Sequence, residues 1–532
     1  MAGGPLSRTS SLTLGASRQG SGRFLDPVHP DNLHNQGRAW NAGGQIGWSP
    51  SAQDQVTAVF GGSRSRFEVP HGAEQEAAGQ DQRQRVGQRW LSGSWQRTWR
   101  ARTVSQISAF HRAGSSRLVG SAHDTPLFTD ADRTLHRTGL LGSVAHQRGR
   151  HLVKFGGEAS WLRLREDFIF AVHDDDDTDE MELSDAALAF TPDNPFRFTG
   201  RARPSLYSLY AQDSVRVSGG VTLDAGVRAD WSRLLARTFR LSPRLGAAWH
   251  RAGSRTTLRA SFARFLQPPQ PENLLLASSE QAWELSPFRT ETAGGAELEP
   301  ERQTAIEAGV DQPIGAALRL DVAFWRRWMR HVADPNVLFG TTILFPNSVA
   351  EGDASGVDVR LEMPRRRGWS AYANYANGRV VQYGPITGGL FVEEEVIAIG
   401  PGTRFVPDHD QRHVGSFGVS YAADVQGMWA SLTGRYESGT PLEVDEDDRD
   451  ELSERPGAEL VDFARGRVKP RTVLDLSASL RLVRRGETHV SLRAALLNLT
   501  GRRWAYNFGN PFSGTHFGPG RTVQVGIRVE VR

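Results

Sequence analysis

Residues 221–231 read VTLDAGVRADW, and residues 522–531 read TVQVGIRVEV. In the first stretch Val221, Leu223, Ala225, Val227, Ala229 and Trp231 fall on one face, and Thr222, Asp224, Gly226, Arg228 and Asp230 on the other. In the second, Val523, Val525, Ile527, Val529 and Val531 alternate with Gln524, Gly526, Arg528 and Glu530. A strict period of two specifies a strand with one apolar and one polar face. Length then separates the candidate classes. Strands of soluble sandwiches usually run to about five or six residues. Residues 221–231, at about 3.3 Å rise and a tilt near 40°, span roughly 25–28 Å, the height of an outer-membrane apolar band.

The same pattern recurs on both sides. Phe239, Leu241, Leu245, Ala247 and Trp249 oppose Arg240, Ser242, Arg244 and His250; Leu474, Leu476, Ala478, Leu480 and Leu482 alternate with Asp475, Ser477, Ser479 and Arg481. Read along the chain, strands fall at 8–16, 37–48, 55–66, 84–96, 103–115, 134–146, 151–164, 203–217, 221–233, 239–250, 255–265, 301–312, 317–330, 353–364, 368–380, 411–422, 427–438, 471–483, 488–498 and 520–531, twenty in all. The connections sort by length. Tight ones, such as 49–54, 218–220, 252–254, 423–426 and 484–487, alternate with mostly long ones: 17–36, 67–83, 116–133, 165–202, 266–300, 331–352, 381–410, 439–470 and 499–519. Short turns at one end and large loops at the other are the organisation of an all-β transmembrane antiparallel barrel. The whole of 1–532 reads as one barrel domain, with 165–202, 266–300, 381–410 and 439–470 expected at the same end.

Composition narrows the function. Of 532 residues, 63 are basic and 60 acidic, which argues against nucleic-acid binding through bulk positive charge. Only Lys154 and Lys469 are lysines, so arginine supplies nearly all the positive charge. The absence of cysteine excludes thiolate metal sites, thiol nucleophiles and disulfides. Mean hydropathy is −0.44, and no apolar run approaches the roughly 18 residues of a spanning helix. The opening MAGGPLSRTSSLTLG has neither the basic nor the apolar region of a secretory signal, so the chain is expected to be cytoplasmic or part of something longer.

No catalytic signature is present: there is no G-x-S-x-G, H-E-x-x-H or phosphate loop, and no enzyme, cofactor, metal or specific ligand-binding residue is assigned. The acidic runs HDDDDTDEME (173–182) and DEDDRDELSE (445–454) read as solvated mobile loops, since they lack the spacing and turn glycine of a calcium loop. His409 and His413 have helical metal-ligand spacing but sit where the chain is extended, which separates them by about 13 Å, too far to share one ion. Trp504, Tyr506, Phe508, Phe512 and Phe517 read as interfacial girdle and loop packing rather than a ligand mouth. Trp231 and Phe239 mark one girdle and Trp249 the other. Arg228, Asp230, Arg259, Arg319 and Asp321 are expected to face the lumen and to pair with each other, with water or with a plug.

Several segments together resemble TonB-dependent outer-membrane receptors. YSLYAQD (207–213) resembles their tyrosine-rich strand, 221–261 the three strands after it, and LEPERQTAIEAG (298–309) the return from a large loop. LLNLTGRRWAY (496–506) and GNPFSGTHFGPGR (509–521) resemble the final segments. FLDPVHPDNLHNQG (24–37) is similar to the subgroup with carboxypeptidase-regulatory-like N-terminal domains. The resemblance implies a 22-stranded barrel around a plug, and uptake of a siderophore, cobalamin, oligosaccharide or peptide energised by TonB with ExbB and ExbD. It further implies contact with outer-membrane lipid and lipopolysaccharide, and insertion by the barrel-assembly machinery, which reads a terminal aromatic residue where this chain has Arg532. Against that pattern, twenty strands are legible, and signal, TonB box and plug are not. The expectation is a fragment unable to couple to TonB by itself, which either closes by pairing 8–16 with 520–531 or needs an upstream segment to fold. A passive plug-free porin and a soluble secreted β-rich binding or hydrolytic protein are the alternatives.

Overall fold

The computed structural model describes residues 2–100, 102–173, 183–286, 298–338, 341–390, 399–423, 428–442, 448–486, 488–510 and 514–531. Twenty long strands lie in one antiparallel sheet: β1 (Ser10–Ser21), β2 (Gly37–Trp48), β3 (Asp54–Glu68), β4 (Arg83–Trp99), β5 (Thr103–Val119), β6 (Leu127–Arg148), β7 (His151–Val172), β8 (Ser205–Arg216), β9 (Val221–Arg233), β10 (Arg237–Arg251), β11 (Thr256–Gln267), β12 (Glu301–Ile314), β13 (Leu318–Ala333), β14 (Asn347–Arg366), β15 (Trp369–Gly388), β16 (His413–Ala423), β17 (Met428–Glu437), β18 (Arg471–Arg485), β19 (Thr488–Leu497) and β20 (Thr522–Val531). Short segments Ala2–Pro5, Phe196–Ala202 and Arg404–Phe405 pair onto β1, β7 and β15 and complete the sheet of 23 strands. Each strand expected from the periodicity has its counterpart, and each long strand pairs with the next along the chain.

Register follows the apolar row. Across β18, β19 and β20, Leu476 aligns with Leu496 and Val523, Ala478 with Ala494 and Val525, and Leu480 with Leu492 and Ile527. A slip of one residue would turn each row to the wrong face, so this alternation fixes the pairing. On β9, Trp231 lies opposite Tyr207 and Phe239, and Leu223 opposite Val215 and Ala247. The Trp231 and Phe239 rings lie 5.1 Å apart, tilted to each other, near one end of the wall, while Trp249 pairs with Val221 and Leu258 at the other. That is the two-girdle arrangement expected of a membrane barrel.

The opposite face carries the charges. Arg259 grips Asp321 through two hydrogen bonds of 2.5 and 2.9 Å, Arg319 donates to Asp311 at 2.6 Å, and Arg228 donates to Asp230 at 2.8 Å. All five lumen residues named from the sequence therefore sit in ion pairs. In β20, Arg528 pairs with Glu530 on the same polar row.

Turns after the even-numbered strands are tight, the longest being 49–53, and the longer connections follow odd-numbered strands. Those after β7, β11, β15 and β17 share one end, as expected. The pairing of 8–16 with 520–531 is not formed among the described residues. Instead residues 11–14 of β1 pair with Ala2–Pro5, and β20 pairs with β19. Ala2–Pro5 thus takes part of the β1 edge that such a pairing would use, the other edge being paired with β2.

Several strands are longer than the sequence indicates. β6 and β7 have 22 residues each, β14 and β15 have 20 each, and all extend at the long-loop end. In β7 the polarity inverts along the strand. Below the girdle the apolar residues Val153, Phe155 and Trp161 are exposed; beyond it Leu162, Leu164, Phe168 and Phe170 on the other face are buried, while Arg163 and Arg165 are exposed. The inversion marks where the outer face passes from lipid into water and the inner face passes from a wet lumen into a packed core. Residues 165–172, read as loop from the sequence, are strand for that reason.

Candidate functional site

The packed core lies across the long-loop end of the barrel. It is a canopy drawn from distant segments. Val69, Leu118, Leu127, Leu164, Phe168 and Phe170 come from the ends of strands or just beyond them. Leu183, Ala187 and Phe196 come from the connection after β7, Leu274, Leu276 and Leu285 from that after β11, and Ile343 and Phe345 from that after β13. Phe168 meets Phe345 edge-on at 5.8 Å, and Phe170 stacks on Phe196 at 5.0 Å. A folded canopy of this kind gives the barrel a mouth with a defined shape, and its own hydrophobic burial stabilises it.

Inside the canopy sits a buried carboxylate. Glu166 is 3% exposed. It accepts the backbone N–H of Leu275 at 3.1 Å and of Leu276 at 3.0 Å, at the start of the short helix Leu274–Ala277. The neighbouring Arg133, also buried, donates to Glu272 at 2.9 Å and to Ser116 at 3.1 Å. Burial outweighs these N–H donors and the Arg133 charge, and pushes the Glu166 carboxyl up to about 7. The helix-bearing loop is thus latched onto β7 through a group that titrates near neutrality. Asn273 adds a hydrogen bond of 2.6 Å to the carbonyl of Leu344, tying the same loop to the connection after β13.

A second ionic contact holds the last two long loops. Arg471 pairs with Glu437, its direct cross-strand partner, and donates to the carbonyl of Ala505 at 2.6 Å. Its guanidinium lies 4.3 Å from the Trp504 ring centre and 4.7 Å from that of Tyr506. Phe508 and Phe517 are buried with Leu452, Val461 and Val468. The aromatic cluster read as girdle and packing is thus loop packing, with Trp504 and Tyr506 clamping an arginine; Phe512 lies outside the described residues. Residues 448–454 are a helix anchored by buried Leu452, not the mobile loop expected of 445–454. The acid run reads as solvated by composition alone, and its single leucine is what docks it. Residues 174–182 of the other acidic run lie outside the described residues.

His409 and His413 are not brought together on a ligand. His409 is 2.8 Å from Asp408, and His413 is 2.8 Å from the Tyr375 hydroxyl and 3.2 Å from Asn377. Asp334, just after β13, accepts from Gln382 at 2.8 Å, and burial holds its carboxyl above the usual range. None of Glu166, Arg133, Glu437, Arg471 or Asp334 is singled out by sequence. One signal was available: Glu166 occupies the apolar parity of Leu162, Leu164, Phe168 and Phe170, where an unpaired carboxylate would be untenable.

With this architecture in view, the comparisons are specific. A model of the TonB-dependent receptor-like β-barrel matches residues 17–499. The chain belongs to that family. No curated protein matches the chain. Among solved structures, this receptor barrel is similar to the copper transporter OprC, with 13% identity, a TM-score of 0.67, and coverage of 98% of this chain and 76% of that one. It is similar to the unliganded ferric citrate transporter FecA, with 13% identity, a TM-score of 0.66, and coverage of 99% and 74%. It is also similar to the ferric yersiniabactin uptake receptor FyuA from Yersinia pestis, with 13% identity, a TM-score of 0.67, and coverage of 99% and 76%. At these identities the likeness is one of fold. The receptor barrel is a transport protein of the bacterial outer membrane, not an enzyme.

Proposed function

We propose that the chain forms the wall and outer mouth of a receptor for TonB-energised uptake, and that it selects its ligand at the folded canopy. The canopy carries this reading. A passive pore gains nothing from a buried core across its mouth, whereas a receptor needs a defined surface that opens when the ligand is committed. Of siderophore, cobalamin, oligosaccharide and peptide, an anionic metal chelate is the ligand class best supported, because 61 of the 63 basic residues are arginine, which recognises carboxylate bidentately. TonB with ExbB and ExbD would supply the energy. Lipopolysaccharide and lipid would surround the wall, and the barrel-assembly machinery would insert it. The test is uptake of radiolabelled ferric chelates by cells expressing the protein, with and without TonB. Uptake that disappears without TonB is expected. Uptake indifferent to TonB would make the protein a passive pore, and TonB-dependent uptake confined to uncharged ligands would overturn the ligand class.

A further inference from the structure

A small polar cavity lies at the long-loop end of the wall. Its lining includes Glu299, Glu301, His331, Asp334, Asn347 and Ser348. They come from the start of β12 and the residues before it, the end of β13 and the residue beyond it, and the start of β14. Backbone pairing brings them together. Ala333 pairs with Ser348, the Asp334 N–H donates to the Asn347 carbonyl at 3.4 Å, and the Ala333 N–H donates to the Glu301 carboxylate at 2.8 Å. The cavity is about 10 Å³, room for one water or one bare ion.

Acceptors outnumber donors around it. Glu299 is engaged by Arg302 and lies 3.6 Å from His331. Glu301 and Asp334 have no ion-pair partner among the described residues; they are held by the Ala333 N–H and by the side-chain amides of Gln303 and Gln382. The titratable groups acting on Asp334 are His409, Asp408 and Glu301. Asn347 and Ser348 are each 4% exposed, and their Oδ1 and Oγ have no hydrogen-bond partner. Gln382 adds to the surplus. Its Nε2 donates to Asp334 at 2.8 Å, which fixes the orientation of the amide and leaves Oε1 buried without a donor. Buried carboxylates without a partner are costly, and so are orphaned neutral oxygens. A cation relieves both at once. No three His, Asp or Glu side chains form a metal-binding group by themselves among the described residues, so the amide and hydroxyl oxygens are essential to any ion here.

We propose that Glu301, Asp334, Asn347 and Ser348 hold a calcium ion that pins β13 and β14 to the start of β12. All the donors are hard oxygens, which suit Ca²⁺ and Mg²⁺ alike. Size separates the two. Mg²⁺ keeps several of its waters, for which a cavity of about 10 Å³ has no room, whereas Ca²⁺ takes protein carboxylates and carbonyls in flexible geometry. With only two carboxylates in the set, the affinity is that of extracellular calcium modules, about 10⁻⁴–10⁻³ M. The ion neutralises the carboxylate pair and fixes this part of the barrel mouth. This reading stands independently of the cargo and of TonB.

The test is titration of the detergent-solubilised protein, stripped with EDTA, with CaCl₂ and separately with MgCl₂, read by hydrogen exchange of the amides of 332–334 and 347–349. At about 10 mM Ca²⁺, roughly ten times the weaker expected Kd, exchange of these amides should slow by about tenfold or more. Mg²⁺ should leave it unchanged, and Asp334→Asn should abolish the response to Ca²⁺. Asp450→Asn, in the acidic run of another loop, should keep it. No response to Ca²⁺ at that concentration, an equal response to Mg²⁺, or an Asp334→Asn variant that responds as the native protein does would overturn the proposal. So would protection that follows pH and ignores Ca²⁺, since the two carboxylates would then share a proton in place of an ion. Should Asp334→Asn fail to fold, Ser348→Ala removes a single oxygen of the set and should move the Ca²⁺ midpoint to higher concentration. An unmoved midpoint would place the ion elsewhere.

Discussion

Replacing Glu166 with Gln should abolish a pH dependence in the canopy. In the native protein the carboxyl is pushed up to about 7 by burial, against an ordinary value of 4.5. The closed canopy therefore holds the proton more tightly than the open one does. The stabilisation that protonation gives is fully present below pH 4.5 and is lost as pH rises through about 7. The gap between the two values corresponds to about 3 kcal/mol, undiminished by solvent because the residue is 3% exposed. Opening the loop that bears Leu275 and Leu276 should thus be easier at pH 8 than at pH 5, by up to that amount. A glutamine keeps the carbonyl acceptor for these N–H groups and cannot ionise, so the variant should open equally at both pH values. Hydrogen exchange of the amides of 274–277, corrected for the intrinsic effect of pH, measures this directly. A native protein whose protection does not change between pH 5 and pH 8 would refute the reasoning. So would a Gln variant that keeps the native slope, since the titrating group would then lie elsewhere.

Other substitutions separate wall from canopy. Ile527→Arg on the apolar row of β20 should destabilise the inserted barrel by about 2–4 kcal/mol in urea titrations in vesicles, while Gln524→Arg on the opposite row should be close to neutral. Phe170→Ala, at 1% exposure in the canopy core, should cost about 3–5 kcal/mol of canopy stability, seen as faster proteolysis of the loops with the barrel intact. Arg471→Ala removes the buried one of the two arginine partners of Glu437, leaving it the exposed Arg435, and should cost up to about 3 kcal/mol, whereas Arg471→Met with Glu437→Gln should recover most of it.

The wall was legible in the sequence because a membrane strand must repeat one rule over its full height, and Val221 to Trp231 or Val523 to Val531 obey it residue by residue. The lumen pairs were legible for the same reason, since Arg259 and Asp321 occupy the polar parity on strands two apart. Above the girdle the rule no longer applies. Leu162 to Phe170 alternate as regularly as the wall does, with the faces exchanged, so a reading tuned to lipid stops at residue 164. Contacts that latch the canopy reach across more than a hundred positions, as in Glu166 with Leu276 or Arg133 with Glu272, and no local pattern encodes them. Leu452 shows the same limit within a single segment, because one docked leucine outweighs the charge run around it.

The central claim is that residues 221–233 cross a membrane as one strand of a water-filled barrel. Single cysteines placed in turn from 222 to 230, in a chain that otherwise has none, can each carry a small fluorophore in reconstituted vesicles. Labels at 223, 225, 227 and 229 should be quenched by nitroxide lipids, and labels at 222, 224, 226, 228 and 230 by aqueous iodide. Quenching that shows no period of two, or lipid contact on the Arg228 and Asp230 row, would contradict it.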